Sequence, residues 1–63
     1  MSETPEEFFR DRDFELRFSR EAEFVWVDLV RLSSGAVVPK YGRGSDERSA
    51  AARAVERWGQ EQD

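Results

Sequence analysis

The residues able to do chemistry in this chain are carboxylates, guanidiniums, hydroxyls and one glycine-rich turn, because histidine and cysteine are both absent. Their absence removes the imidazole base, the Ser-His-Asp triad, the thiol nucleophile and any imidazole or thiolate metal site. Asp28 is the most conspicuous of what remains, a carboxylate inside the apolar run from Phe24 to Leu32. Buried there it would have a raised pKa and could act as a general acid or base. The structural alternatives are a bulge, an exposed edge, or a pairing with Arg17 or Arg31. Catalysis also needs a cleft and a second polar group at fixed geometry, and 63 residues leave little room for either. The expectation is no enzyme and no cofactor.

Three other groupings have to be weighed. Asp11-Arg12-Asp13 with Glu15 offers hard oxygen ligands. It lacks the glycine turn and the terminal bidentate acid of a calcium loop, and reads as a charged entry to a strand. Gly42-Arg43-Gly44-Ser45 has neither the lysine of a phosphate loop nor the G-x-G-x-x-G spacing. Arg43, Arg48, Arg53 and Arg57, with Lys40 nearby, could form a cationic ridge touching phosphates. The competing reading is a solvated helix face with Arg57–Glu61 and Arg53–Glu56 pairs.

The elements that would position these groups follow from periodicity. Thr4-Pro5-Glu6-Glu7 starts a helix, with Thr4 as cap, Pro5 at the first position and acids at the positive end of the dipole. It spans about two turns, to Asp11, with Phe8 and Phe9 as its only large apolar residues. Phe14-Glu15-Leu16-Arg17-Phe18 alternates strictly and reads as a half-buried strand, with Ser19–Glu23 as a loop. Phe24 to Leu32 is the strongest strand and is apolar on both parities, so it is either covered on both sides or bulged near Asp28. Ser33-Ser34-Gly35 turns the chain into a third strand, Ala36 to Tyr41, which Pro39 confines to a sheet edge. Gly42-Arg43-Gly44 breaks that strand. Ser45 or Asp46 then caps a helix running to about Gln60, with Ala51, Ala54, Val55 and Trp58 on one face. The fold is therefore α+β: a short N-terminal helix, a three-stranded antiparallel meander, and a C-terminal helix packed on one sheet face. Residues 1–63 form one domain, with 1–3 and 60–63 fraying.

The third-strand-to-helix junction resembles the double-stranded-RNA-binding domain family, whose C-terminal half carries G-x-G-x-S-K-K-x-A-K-x-x-A-A. Here the chain reads Gly42-Arg43-Gly44-Ser45-Asp46-Glu47-Arg48-Ser49-Ala50-Ala51-Ala52-Arg53-Ala54-Val55. The likeness covers residues 42–58, and residues 24–41 in pattern; the N-terminal helix is shorter than the family's. Gly42, Gly44, Ala50 and Ala54 match, and these are structural positions. The three lysines that reach phosphates in that family fall on Glu47, Arg48 and Ala51, so two cations are lost and one becomes an anion. The resemblance implies the helix–meander–helix fold and argues against the family's usual ligand.

The formal charge of −4 points the same way. The acidic end is the N-terminal one: residues 1–13 carry five acids against Arg10 and Arg12, a net of −3. No basic segment precedes an apolar stretch, and the longest apolar run is only Phe24–Val27, so the expectation is a cytoplasmic protein with no membrane contact.

Aromatics make up 13% of the chain, too many for a disordered tail, and more than one small core needs. Phe14, Leu16, Phe18, Val25, Val27, Leu29, Val37 or Val38, Val55 and Trp58 suffice for that core. Phe8, Phe9, Phe24, Trp26, Val30 and Tyr41 are left over, and all of these but Tyr41 are the expected interface anchors, rimmed by Glu15, Arg17, Asp28 and Arg31. The implied function is a non-catalytic protein–protein interaction module or accessory subunit. Its partner would be itself, as a homodimer, or another protein. The alternative is weak duplex-RNA binding through Arg43, Arg48, Arg53 and Arg57.

Overall fold

The computed structural model describes residues 3–62; the expected fraying at residues 1, 2 and 63 lies outside them. The order is α1 (Pro5–Arg10), β1 (Phe14–Glu21), β2 (Phe24–Arg31), β3 (Val37–Gly44) and α2 (Glu47–Glu61). The strands form one antiparallel sheet in the order β1-β2-β3, which leaves β1 and β3 as its two edges. Both helices begin at side-chain caps. The Glu7 N–H donates to the Thr4 hydroxyl (3.2 Å) and the Ser49 N–H to Asp46 (2.8 Å). The latter bond holds the Asp46 carboxyl below the usual aspartate range.

Three element ends run further than the sequence implies. β1 continues through Ser19–Glu21, because these polar residues pair with the strongly strand-forming Phe24–Trp26. That reduces the connecting loop to two residues, with Ala22 at φ 58°. β3 does not stop at Tyr41 but runs through Gly42, Arg43 and Gly44, paired with Val27, Trp26 and Val25. At the other end α2 stays helical through Glu61, tied there by Tyr41.

One face of the sheet carries both helices. Val25, Val27 and Leu29 point into that layer and are at most 3% exposed. α2 crosses β3 where Gly42 and Gly44 lie against Ala50 and Ser49, so the two backbones approach closely. α1 covers β1 and sends Phe9 into the centre of the core. The Phe9 ring meets Phe8, Trp58 and Tyr41 edge-on at 5.0, 5.7 and 6.4 Å, and Trp58 meets Phe14 at 5.5 Å. The core therefore contains Phe9 and Tyr41. Val37 and Val38 stay outside it, 47% and 40% exposed. Val37 pairs with Val30 and so lies on the helix-free face, while Val38 pairs with Leu29 at the end of the sheet nearest the turn.

The irregularity expected near Asp28 lies opposite it, on β3. Between the pairs Val27–Gly42 and Leu29–Val38, β2 supplies one residue and β3 supplies Pro39, Lys40 and Tyr41. Lys40 adopts φ 51°, and its N–H donates to Asp28 Oδ1 at 2.8 Å. Asp28 is thus a local clamp on the bulge; Arg17 lies across from it on β1 without forming an ion pair, and Arg31 turns to Asp13 instead.

Candidate functional site

Two surfaces bring together the residues singled out above: the helix-free face of the sheet, and the groove where β3 meets α2. On the helix-free face Phe24 and Trp26 project from β2, two residues apart. Trp26 faces Ser19 on one side and Arg43 on the other. The Arg43 guanidinium lies 4.5 Å from the Phe24 ring centre and 5.6 Å from that of Trp26, and Lys40 Nζ lies 5.2 Å from Trp26. Lys40 also meets Glu21 of β1 at 3.6 Å, so this ion pair spans β2 beside the indole. Both charged ends are exposed, which makes the pair energetically slight. Their aliphatic stems nevertheless shade Trp26 to half-buried, while Phe24 remains 38% exposed.

The other expected anchors are placed differently. Phe9 is fully buried in the helix layer and is unavailable for contact. Phe8 is half-buried on the same helical side, with the Arg12 guanidinium 3.7 Å from its ring centre. Both were expected on the association surface; α1 instead packs beside α2, because Phe9 finds its aromatic partners there. Val30 points to the helix-free side yet is only 9% exposed. Of the expected rim, Arg31 belongs to the helical side, stacked on Phe14 at 4.4 Å and 3.5 Å from Asp13. Glu15 and Arg17 stay exposed beside Val30 and Asp28.

Asp11, Asp13 and Glu15 do not converge, and no cluster of three acids fit for a metal forms among the described residues. Asp13 serves the fold. Its carboxylate accepts from the Ser33 hydroxyl (2.6 Å) and its carbonyl from the Leu32 N–H (2.8 Å), joining the entry of β1 to the β2–β3 hairpin. The Ser33 bond, with Arg31 beside it, lowers the Asp13 pKa.

The second surface is an open groove of about 600 Å³ lined by Phe24, Arg43, Arg53, Glu56 and Arg57 among others. Three of the four arginines expected to form a ridge meet there. Arg48 does not: it projects from the other side of α2, beside Glu47, Phe18 and the start of α1. A helical advance of five residues, from 48 to 53, turns the side chain by about 140° and so separates the two.

Within this groove Arg57 makes three contacts with Tyr41 and Glu61. Its guanidinium lies 4.4 Å from the Tyr41 ring centre, Nη1 donates to the Tyr41 carbonyl (3.2 Å) and Nε to Glu61 (3.1 Å). The Tyr41 hydroxyl donates to the other Glu61 oxygen at 2.6 Å. Burial, and secondarily this carboxylate, push Tyr41 up from 10.0 to about 12, while the hydroxyl holds Glu61 below the usual glutamate range. A raised phenol pKa contributes stability that is complete below 10 and lost as the pH climbs from 10 to about 12. A lowered carboxyl contributes stability that is lost as the pH falls through its folded value. The melting-temperature gap between the wild type and Tyr41→Phe should therefore be widest near neutrality and close at both extremes. A gap unchanged from neutral pH to about 12 would show that the hydroxyl is not held by Glu61.

Comparison of the chain with protein-family models, with curated proteins and with solved structures returns no match. No helix among the described residues is long and apolar enough to cross a membrane.

Proposed function

We propose that this protein is a small non-catalytic interaction module that self-associates by burying the helix-free face of its sheet, centred on Trp26 and Phe24. One observation carries the proposal. Both helices lie on a single face, so the other face offers a tryptophan and a phenylalanine with only charged side chains over them. Tryptophan and arginine are the residue types that dominate binding energy at protein interfaces, and Phe24 adds aromatic area next to them. A second copy would replace a solvent-facing ion pair by apolar contact, and Arg43 could stay stacked at the margin.

Trp26→Lys tests this, because it removes the ring while leaving the helix-facing core of β2 untouched. Association should weaken by roughly thirtyfold or more, the effect of losing a strong interface anchor. Sedimentation of both proteins over a range of concentrations should show a larger assembly for the wild type, with unchanged far-ultraviolet dichroism in the variant. Equal solution masses at every concentration would overturn the proposal, as would loss of the fold in the variant.

A second reading is supported by the convergence of Arg43, Arg53 and Arg57 on one groove. Duplex RNA held there would dissociate steeply as salt rises, whereas aromatic association would persist. Salt-sensitive gel shifts with duplex RNA would favour this reading over the first.

A further inference from the structure

The two edges of the sheet are treated very differently. β3 carries Pro39, the bulge at Lys40 and the Arg57 guanidinium on its Tyr41 carbonyl, all of which obstruct the approach of another strand. β1 has none of these. Its eight residues pair with β2 without interruption, and it contains no proline. Among the described residues, no hydrogen bond from outside the sheet reaches the main chain of Glu15–Glu21. Leu16 and Phe18, on its helical side, are only half-buried.

The sequence of this open edge is complementary to itself when reversed. An antiparallel pair of two β1 strands about a two-fold axis at Leu16 sets Leu16 against Leu16 and Phe14 against Phe18 of the second copy. It also sets Glu15 against Arg17 of the second copy, twice by symmetry. Directly opposed residues share a face, so the apolar trio lies on the helical side and the two ion pairs lie on the other. Shifted registers match less well: an axis at Ser19 opposes Arg17 and Glu21 but sets Phe18 against Arg20 and leaves Phe14 and Leu16 without strand partners. An axis at Arg17 opposes two arginines, one at Glu15 opposes two glutamates, and one at Phe18 puts Glu15 against Glu21. Arg12, which would face Arg20, precedes the strand and is folded back onto the Phe8 carbonyl at 2.7 Å.

We infer that two copies of this chain join along β1 in the Leu16-centred antiparallel register, making one six-stranded sheet with all four helices on the same side. This goes beyond the face contact proposed above and uses a different surface. Because its axis is normal to the sheet, it leaves Trp26 and Phe24 free and sets two such faces side by side. With both contacts present the end state is a pair of pairs.

Charge reversal tests the pairing without touching the core, since Glu15 and Arg17 are both exposed. Glu15→Arg alone and Arg17→Glu alone each oppose like charges in a self-pair and opposite charges in a mixed pair. Each should weaken edge pairing by roughly tenfold or more, and an equimolar mixture should restore it. The measurement is sedimentation of the full chain, in the wild-type background and again with Trp26→Lys added. In the latter only the edge contact can operate, so a failure of the face contact is read separately. In the wild type, the outward amides of β1 should also gain protection from hydrogen exchange as concentration rises. Single variants that assemble like the wild type, a mixture that assembles no better than its components, or exchange independent of concentration would each overturn the inference.

Discussion

Gly42→Ala is expected to lower the stability of this protein by about 3 kcal/mol, the upper range for forcing a methyl group into a packed interior. For a domain of this size that is a fall of about 12–24 °C in the melting midpoint. A Cβ at this position would lie 2.5 Å from the Ala50 carbonyl oxygen, 2.9 Å from a Val27 methyl and 3.0 Å from the Ala54 nitrogen. Two of those three atoms are backbone, so the clash cannot be relieved by turning a side chain. α2 would have to lift from β3, taking Trp58 and the Arg57–Tyr41–Glu61 cluster with it. Two other glycines serve as controls. Gly35 has φ +77° with nothing within 4 Å, so Gly35→Ala should cost only the backbone penalty of about 1 kcal/mol. Gly59 sits in α2 with open space around it, and Gly59→Ala should stabilise by about 1 kcal/mol through helix propensity. Thermal melts of the three variants should therefore fall in the order Gly59→Ala, Gly35→Ala, Gly42→Ala. A Gly42→Ala protein melting within a few degrees of the wild type would contradict the close crossing of α2 over β3.

Phe9→Ala should be comparably severe, costing about 3–5 kcal/mol. The whole stability expected of a 63-residue domain is about 3–9 kcal/mol, so this substitution should remove about a third of it or more and shift the urea midpoint accordingly. Phe9 is the centre of the aromatic cluster, fully buried, and it is the contact through which a six-residue helix is held to the rest of the molecule. A helix of that length has no independent stability, so it should melt together with the contact. Circular dichroism and urea titration measure the effect. Were Phe9 an association anchor, the same substitution would change solution mass and leave the urea midpoint in place. Phe9→Leu, which keeps most of the volume, should recover much of the loss.

These two positions show why part of the architecture was legible in advance and part was not. Strict alternation in Phe14–Phe18 and the spacing of Ala51, Ala54, Val55 and Trp58 are local properties, set by the 2.0 and 3.6 periods of strand and helix. The caps Thr4 and Asp46 are local as well, since their bonds reach only three residues on. Pro39 marked an edge strand because a missing N–H excludes a central position whatever the surroundings. Gly42 and Gly44 looked like the end of a strand by the same local logic, and that inference failed. Glycine also belongs wherever two backbones must touch, and which of the two roles applies depends on an element several residues further along the chain.

The candidate site divides along the same line. That Phe24 and Trp26 would sit opposite Val25 and Val27 follows from pleating alone. That Phe8 and Phe9 would not join them is a matter of which face a two-turn helix falls on, and their own sequence neighbourhood carries no such information. The Lys40–Glu21 ion pair beside Trp26 likewise depends on register across three strands and on a bulge that only pairing reveals.

By itself, then, the amino-acid sequence determined the order and type of every element, the Thr4 cap and the exclusion of histidine and cysteine chemistry. It left open which face of β2 meets α2 and which of Ser45 and Asp46 caps that helix. Tertiary structure alone decided that both helices share one face, that two glycines serve contact rather than a turn, and that Arg48 parts from Arg43, Arg53 and Arg57. The physical reason is range: periodicity and capping act within a turn or a few strand residues, whereas face choice and register are settled by packing between segments distant in the chain.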